Sequence, residues 1–455
     1  MYETTRISQA LAVVLLIATL PGHAADSAPG ATALGGSTLG SSTVGSGATR
    51  AGSPQALAAV KSDDYRDPDL WARIRSGYAI PDVDNTLVAK HVQWYASRPD
   101  NLARISSRAS LYLYHVVLEL EKRGMPTELA LLPVIESAFN PQALSTANAA
   151  GIWQFVPDTG KTFNLQQNMF KDERRGVLAS TDAALTYLQR LYTMFGDWQL
   201  ALAAYNWGEG NVQKAIQRNR SLGKPTDFES LSELMPAETR NYVPRLQAVK
   251  NIIANPGQYG VSLPLIDNQP YFTTVDKTSD IDLAVAAQLA EMSIDEFKAL
   301  NPQFKKPVIA GDSQILLPKE NAEKFHLNLA QWGQALSSWT THKITSAKEN
   351  IASLASKFGT TPEVIRQANN IPPQMRLKAG STILVPRTEA TAHNDITENI
   401  VENAQMLLEA DRGESRKGKM SGVQRIKARA AHAVAEIKSR VSRKPAVNAN
   451  GRKRR

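Results

Sequence analysis

The chain has 455 residues, 42% of them apolar and 21% charged, and a formal net charge of +9. That length exceeds what one hydrophobic core serves and allows two to four domains. Cysteine is absent, which excludes disulfides, thiol nucleophiles, Cys-based metal sites and a lipid carried on a terminal cysteine.

In chain order, residues 1–25 have the three-part form of an export signal. Arg6 precedes the apolar run "ALAVVLLIATL" (10–20), and small residues follow at Gly22 and Ala24. The run is short for a membrane span, so cleavage after Ala24 or Ala25 and a periplasmic location are expected. Residues 26–66, rich in Gly, Ser, Ala and Thr, read as a flexible linker.

Helical patterns fill 67–260. "ISSRASLYLYHVVLELEKRG" (105–124) predicts one helix that stops at Gly124. "PTELALLPVIESAF" (126–139) starts at Pro126, and Pro133 inside it should bend or loosen the helix just before Glu136. Further helices are predicted over 177–197, over 198–206 up to the break "WGEGN", and over 237–255 with Pro244 inside. Residues 269–320 and 341–387 then repeat a plan of about 50 residues: a β-branched stretch, two short helices, an Asn, a Gly and a strand ending in Pro. The expected fold is therefore multidomain, an all-α domain followed by two small α+β modules of βααβ form. Residues 388–455 read as a basic, largely disordered tail with one helical stretch over 397–410. The last 45 residues hold 15 Lys/Arg against 3 Asp/Glu. Export argues against nucleic acid as the partner of that tail and favours anionic membrane or cell-wall groups.

Within the helical region, four segments carry chemistry: "IES" (135–137), "NAAGIWQF" (148–155), "AAYNWGEGNV" (203–212) and "RNYVPRL" (240–246). Glu136 ends an apolar run, where desolvation should raise its pKa and suit it to general acid work near neutral pH. Gly151 would let backbone approach a ligand. Gln154 offers a donor and an acceptor to hydroxyls and acetamides. Tyr205, Asn206 and Tyr242 add neutral hydrogen-bonding groups, and Trp153 and Trp207 are either core or stacking surfaces for sugar rings. The seven His have no metal-binding spacing, so neither metal nor other cofactor is expected.

Taken in order, these segments resemble the catalytic domain of the lytic murein transglycosylases, relatives of goose-type lysozyme. The likeness covers roughly 100–250, and "DERRGVLASTDAALTYLQRL" fits it as well. The repeats resemble LysM modules, as in a membrane-bound branch of that family. The resemblance implies a lysozyme-like fold over 67–260 and peptidoglycan glycan strands as substrate. It makes Glu136 the sole acid and base, with Ser137 orienting it or the substrate, Gln154, Tyr205, Asn206 and Tyr242 around the scissile sugar, and Gly151 among the substrate-binding residues. It also implies cleavage of the β-1,4 bond between N-acetylmuramic acid and N-acetylglucosamine to a 1,6-anhydro end. Asp158 and Asp172 fall outside the motif positions, and no second acid is expected in the motifs. A hydrolytic muramidase and a non-catalytic peptidoglycan-binding scaffold are the rival readings. Both modules lack the usual Gly-Asp-Thr turn, reading "TSDIDLAVAA" (278–287) and "SAKENIASLA" (346–355) instead. The modules are thus expected to keep their fold with altered sugar-binding loops, the first being the more degenerate.

Overall fold

The computed structural model describes residues 67–410, apart from Ala347 and His393. The expected signal peptide, the whole of the linker and the basic segment 411–455 lie outside the described residues.

Eleven helices form the first domain. The first four are α1 (Leu70–Ser76), α2 (Thr86–Ala96), α3 (Pro99–Ala109) and α4 (Leu113–Lys122). After a 3-10 turn at Thr127–Leu131 come α5 (Leu132–Ser137), α6 (Pro157–Thr162), α7 (Val177–Phe195) and α8 (Trp198–Trp207). The last three are α9 (Glu209–Ser221), α10 (Phe228–Leu231) and α11 (Ala237–Ala254). Local chemistry sets several boundaries. Asn85 caps α2 by accepting from the Leu87 and Val88 amides, and Asp197 caps α8 through the Leu200 amide. Gly208, at φ +91, separates α8 from α9.

The single helix expected over 105–124 is two. The chain breaks at 110–112 because Tyr112 turns inward, fully buried, and donates to the Ala299 carbonyl at 2.6 Å. Near Pro133 the segment changes register instead of bending. The 3-10 turn ends at Leu131, and Pro133 lies in the first turn of α5, where its missing N–H has no helical partner to lose. α11 passes unbroken through Pro244.

The first module contains β1 (Phe272–Asp276), β2 (Ile281–Asp282), α12 (Leu283–Leu289), α13 (Ile294–Leu300), β3 (Val308–Ile309), β4 (Gln314–Pro318) and α14 (Lys319–Ala330). The second contains β5 (Trp339–Lys343), α15 (Ile351–Lys357), α16 (Pro362–Asn369), β6 (Met375–Leu377) and β7 (Thr382–Pro386). β1 pairs antiparallel with β4, and β5 with β7, in the same register sense. The repeated Asn explains the shared plan. Asn301 donates to the Phe297 and Leu316 carbonyls and accepts from the Leu316 amide, at 2.8–3.0 Å. Asn369 makes the same three bonds, to Ile365 and Leu384, at 2.7–2.8 Å. Each fully buried amide thus stitches a helix C-terminus to the last strand.

Two boundaries differ from the sequence reading. The first module continues past residue 320, because Ala322 and Phe325 of α14 complete its core beside Val275 and Ile315. The stretch 388–410, expected within a largely disordered tail, is folded in the structure. It forms α17 (Glu398–Asn403) and β8 (Leu408–Ala410), and β8 pairs with β6. Its few apolar residues, Ile396 and Val401, fill a shared core with Phe170, Val308 and Leu384, so the module and its neighbours supply the packing surface it lacks alone.

The modules are docked on the helical domain. Leu300 and Leu316 belong to its main core, and backbone bonds run from the Asp172 amide to the Gln303 carbonyl (2.9 Å) and from the Lys305 amide to the Phe170 carbonyl (2.8 Å).

Candidate active site

Glu136 stands on the last turn of α5, behind a wall of buried Leu132, Val134 and Ile135. The helix ends through two consecutive left-handed residues, Ala138 (φ 54) and Phe139 (φ 53), with Phe139 fully buried as the anchor. Each such non-glycine residue costs about 1–2 kcal/mol, and strain of this kind gathers at functional sites. Gln154 (φ 52) is a third example beside the same carboxyl.

Two hollows meet at Glu136. One, of about 250 Å³, is lined by Glu136, Gln154, Tyr205, Asn206, Trp207 and Glu209 among others. The second, of about 370 Å³, is lined by Glu136, Ser137, Trp94, Asn101 and Arg245 among others. Ser145 and Gln154 border both, so the carboxyl can be reached from two sides along one groove. Protein encloses Glu136 on most sides, while one edge stays accessible from the groove.

Burial raises the Glu136 carboxyl from its ordinary 4.5 to about 7. The Tyr242 hydroxyl, which donates to Glu136 Oε1, and the nearby Arg245 guanidinium pull it down; the charge of Glu238 pushes it up. Burial and the charge of Glu136 push the Tyr205 and Tyr242 phenols well above their ordinary value, which keeps both as donors. Tyr205 donates to the Trp153 carbonyl at 2.9 Å. Arg245 is held in place by the Ile135 carbonyl at 2.9 Å. Asn206 ties α8 to α11, accepting from Thr239 at 2.7 Å and donating to Glu238 at 3.3 Å. Ser137 donates to the Pro133 and Ile152 carbonyls, at 3.3 and 3.0 Å, and so braces α5 against the 148–155 segment. Gln154 donates to the Gly151 carbonyl at 2.9 Å. Among the described residues, no group of three or more His, Asp or Glu side chains is placed to hold a metal ion.

Residues 117–228 match the family model for the transglycosylase SLT domain. Residues 271–334 match the model of the LysM-like domain of lytic transglycosylase MltD, and 347–386 that of the LysM domain. Over 333 residues the chain is 37% identical to membrane-bound lytic murein transglycosylase D of Escherichia coli strain K12, covering 70% of this chain and 73% of that protein. It belongs to the lytic murein transglycosylase family. A putative tributyltin chloride resistance protein of an Alteromonas strain is 46% identical over 125 residues, 27% of this chain and 60% of that one. The solved 70 kDa soluble lytic transglycosylase of Escherichia coli is 28% identical with a TM-score of 0.24, covering 28% of this chain and 22% of that chain.

Within the transglycosylase domain, Glu136, Ser137, Gln154, Tyr205 and Asn206 line the groove, and Tyr242 touches the Glu136 carboxylate from behind. Gly151 lines neither hollow, contrary to the sequence reading. At φ +83, a Cβ on it would sit 1.9 Å from the Arg174 carbonyl, so it admits the protein's own backbone rather than a ligand. Trp153 is core, fully buried and donating to Thr181 at 3.1 Å. Arg174 makes a two-pronged ion pair with Asp172 and also donates to the Asn148 and Phe155 carbonyls, pinning the 148–155 loop.

A second acid does lie in the motifs: Glu209, between the two glycines of "WGEGN", lines the same hollow as Glu136. Tyr187 donates to its Oε2 at 2.8 Å and Arg190 to its Oε1 at 3.2 Å. Arg245, three residues after Tyr242 on α11, also lines the groove. Trp94 carried no motif. Its ring lies edge-on to Tyr95 at 4.8 Å with the Arg98 guanidinium 4.6 Å above it, and it enters the groove only because α2 packs on α11.

Proposed function

We propose that this chain cleaves the β-1,4 bond between N-acetylmuramic acid and N-acetylglucosamine in peptidoglycan, without water, leaving 1,6-anhydro ends. One observation carries the reading: Glu136 titrates near neutrality at the junction of two hollows, so its carboxyl holds a proton where a bond spanning both would lie. Glu136 protonates the glycosidic oxygen as that bond breaks. The carboxylate so formed, held by the Tyr242 hydroxyl at Oε1, then takes the proton of the muramyl 6-hydroxyl. That oxygen closes on C1, and Glu136 ends the cycle protonated as it began. An internal nucleophile makes a second carboxylate at the bond unnecessary.

Glu209 is the observation that would favour a hydrolytic muramidase. Both of its oxygens are already engaged by Tyr187 and Arg190, which suits a wall of the groove better than a base for water. Mass spectrometry of the products from purified sacculi decides between the two. Anhydro products, one water lighter than reducing ends, are expected, and reducing ends alone would overturn the proposal.

The same reading places the protein in the periplasm by way of its N-terminal signal, with the modules on glycan strands and the basic tail on anionic envelope groups. The second module supplies a firmly bonded acid, Glu349, for this role. Glu349 accepts from the Thr345 hydroxyl and the Thr345 and Ser346 amides at 2.8–3.1 Å, and bonds His342 at 2.6 Å, where the usual Gly-Asp-Thr turn is missing.

A further inference from the structure

A hollow of about 1070 Å³ opens where the transglycosylase domain and both modules meet, with Arg108 and Tyr112 on one side, Lys306 on another and Trp339 on the third. Lys306 is its unexplained feature. The residue is only 4% exposed, yet among the described residues its ammonium has no hydrogen bond and no ion pair. Its stem is buried while the ammonium faces the hollow, partly desolvated and without an anion. Burial, and then the charge of Lys305, draw it down to about 8.

The surroundings deepen the imbalance. Arg108, Arg175, Lys298 and Lys305 line the same hollow. Arg108, Arg175 and Lys305 donate to neutral oxygens: the Ala138 carbonyl, the Pro141 carbonyl with Gln142 Oε1, and the Asn168 carbonyl. Three acids share the lining, but two are closed. Asp172 is held by Arg174, and Asp282 accepts from Ser337 Oγ and from the Ser338 amide and hydroxyl at 2.6–3.0 Å. Only the exposed Asp295 remains open.

We propose that this junction binds a carboxylate-bearing peptide, with the Lys306 ammonium as the anchor for one carboxylate. The volume suits several residues rather than a single small ion. Neutral amides at Asn140, Gln142 and Asn370 are placed for peptide groups. Position points the same way. The loop after α5 lines the groove with Ala143 and Ser145 and lines this hollow with Asn140, Pro141 and Gln142, so one ligand can reach both. The identity of the peptide rests on the function proposed above, because peptidoglycan strands carry short peptides with free carboxylates.

The test is isothermal titration of the signal-cleaved chain with the acidic tripeptide of peptidoglycan stems, with the same peptide fully amidated, and with inorganic phosphate. The acidic peptide is expected to bind, the amidated form at least tenfold more weakly, and phosphate more weakly still. Lys306→Met should weaken the acidic peptide at least tenfold, and Lys305→Gln should do so by a smaller factor. A readout independent of any variant comes from the native chain at pH 8 in two buffers of different ionisation enthalpy. Uptake of about half a proton per peptide is expected, as a carboxylate pairs with an ammonium that titrates near 8. Equal binding of the amidated peptide, phosphate binding as tight as the peptide, or no proton uptake would each overturn the site. No binding alongside anhydro products would sink this site alone, and peptide binding alongside reducing-end products would sink the catalytic reading alone.

Discussion

Replacing Glu136 by Gln should make the protein inactive and, above neutrality, more stable. A rise in pKa from 4.5 to about 7 corresponds to about 3 kcal/mol of unfavourable ionisation in the folded state. Water reaching the groove-side edge reduces this to about 2 kcal/mol. Below pH 4.5 both folded and unfolded chains hold the proton, so the native protein bears no penalty. Between 4.5 and 7 only the folded state holds it, and stability falls as pH rises. Above 7 both states are ionised and the whole penalty is present. Gln has no such dependence and can still accept the Tyr242 hydroxyl bond. Melting curves of both proteins should therefore nearly coincide at pH 4 and differ by about 4–8 °C at pH 8, with the variant higher. Turnover of sacculi should fall by about 10²–10⁴ with the loss of the general acid. An unchanged melting difference between pH 4 and pH 8 would refute the buried, proton-holding carboxyl, whatever the effect on activity.

Tyr242→Phe removes a bond that favours the charged form of Glu136, so the fall of kcat/KM with rising pH should move from near 7 to higher pH; an unmoved limb in profiles from pH 5 to 9 would contradict that contact. Glu209→Gln should keep the anhydro product and change the rate by less than about tenfold, since its partners are structural; a loss as deep as that of Glu136→Gln would favour hydrolysis with two carboxylates. Lys250→Met leaves fully buried Glu128 without the ammonium 3.1 Å away, and should lower stability by about 3–5 kcal/mol in urea titrations. Asn369→Ala strips three buried hydrogen bonds from the second module and should cost it about 2–4 kcal/mol, read as faster hydrogen exchange at the Leu384 amide.

Several of these features could be read without coordinates because each rests on a local rule. Apolar periodicity, caps and prolines mark the helices. The duplicated Asn marks the modules, since a buried amide that must satisfy all its bonds tolerates few substitutes. An acid closing an apolar run marks Glu136, since desolvation follows from the neighbours in sequence. Tertiary structure decided what depends on approach across the chain. Tyr112 breaks a helix because its hydroxyl has a carbonyl to meet in the first module, 187 residues on. Gly151 serves the backbone of Arg174, Trp153 serves the core, and Glu209 shares a cavity with Glu136, none of which spacing reveals. Residues 388–410 fold because Phe170, Val308 and Leu384 give Ile396 and Val401 a place to be buried. Lys306 looks like one more lysine in "NPQFKKP", and only the meeting of three units turns it into a shared hollow without an anion.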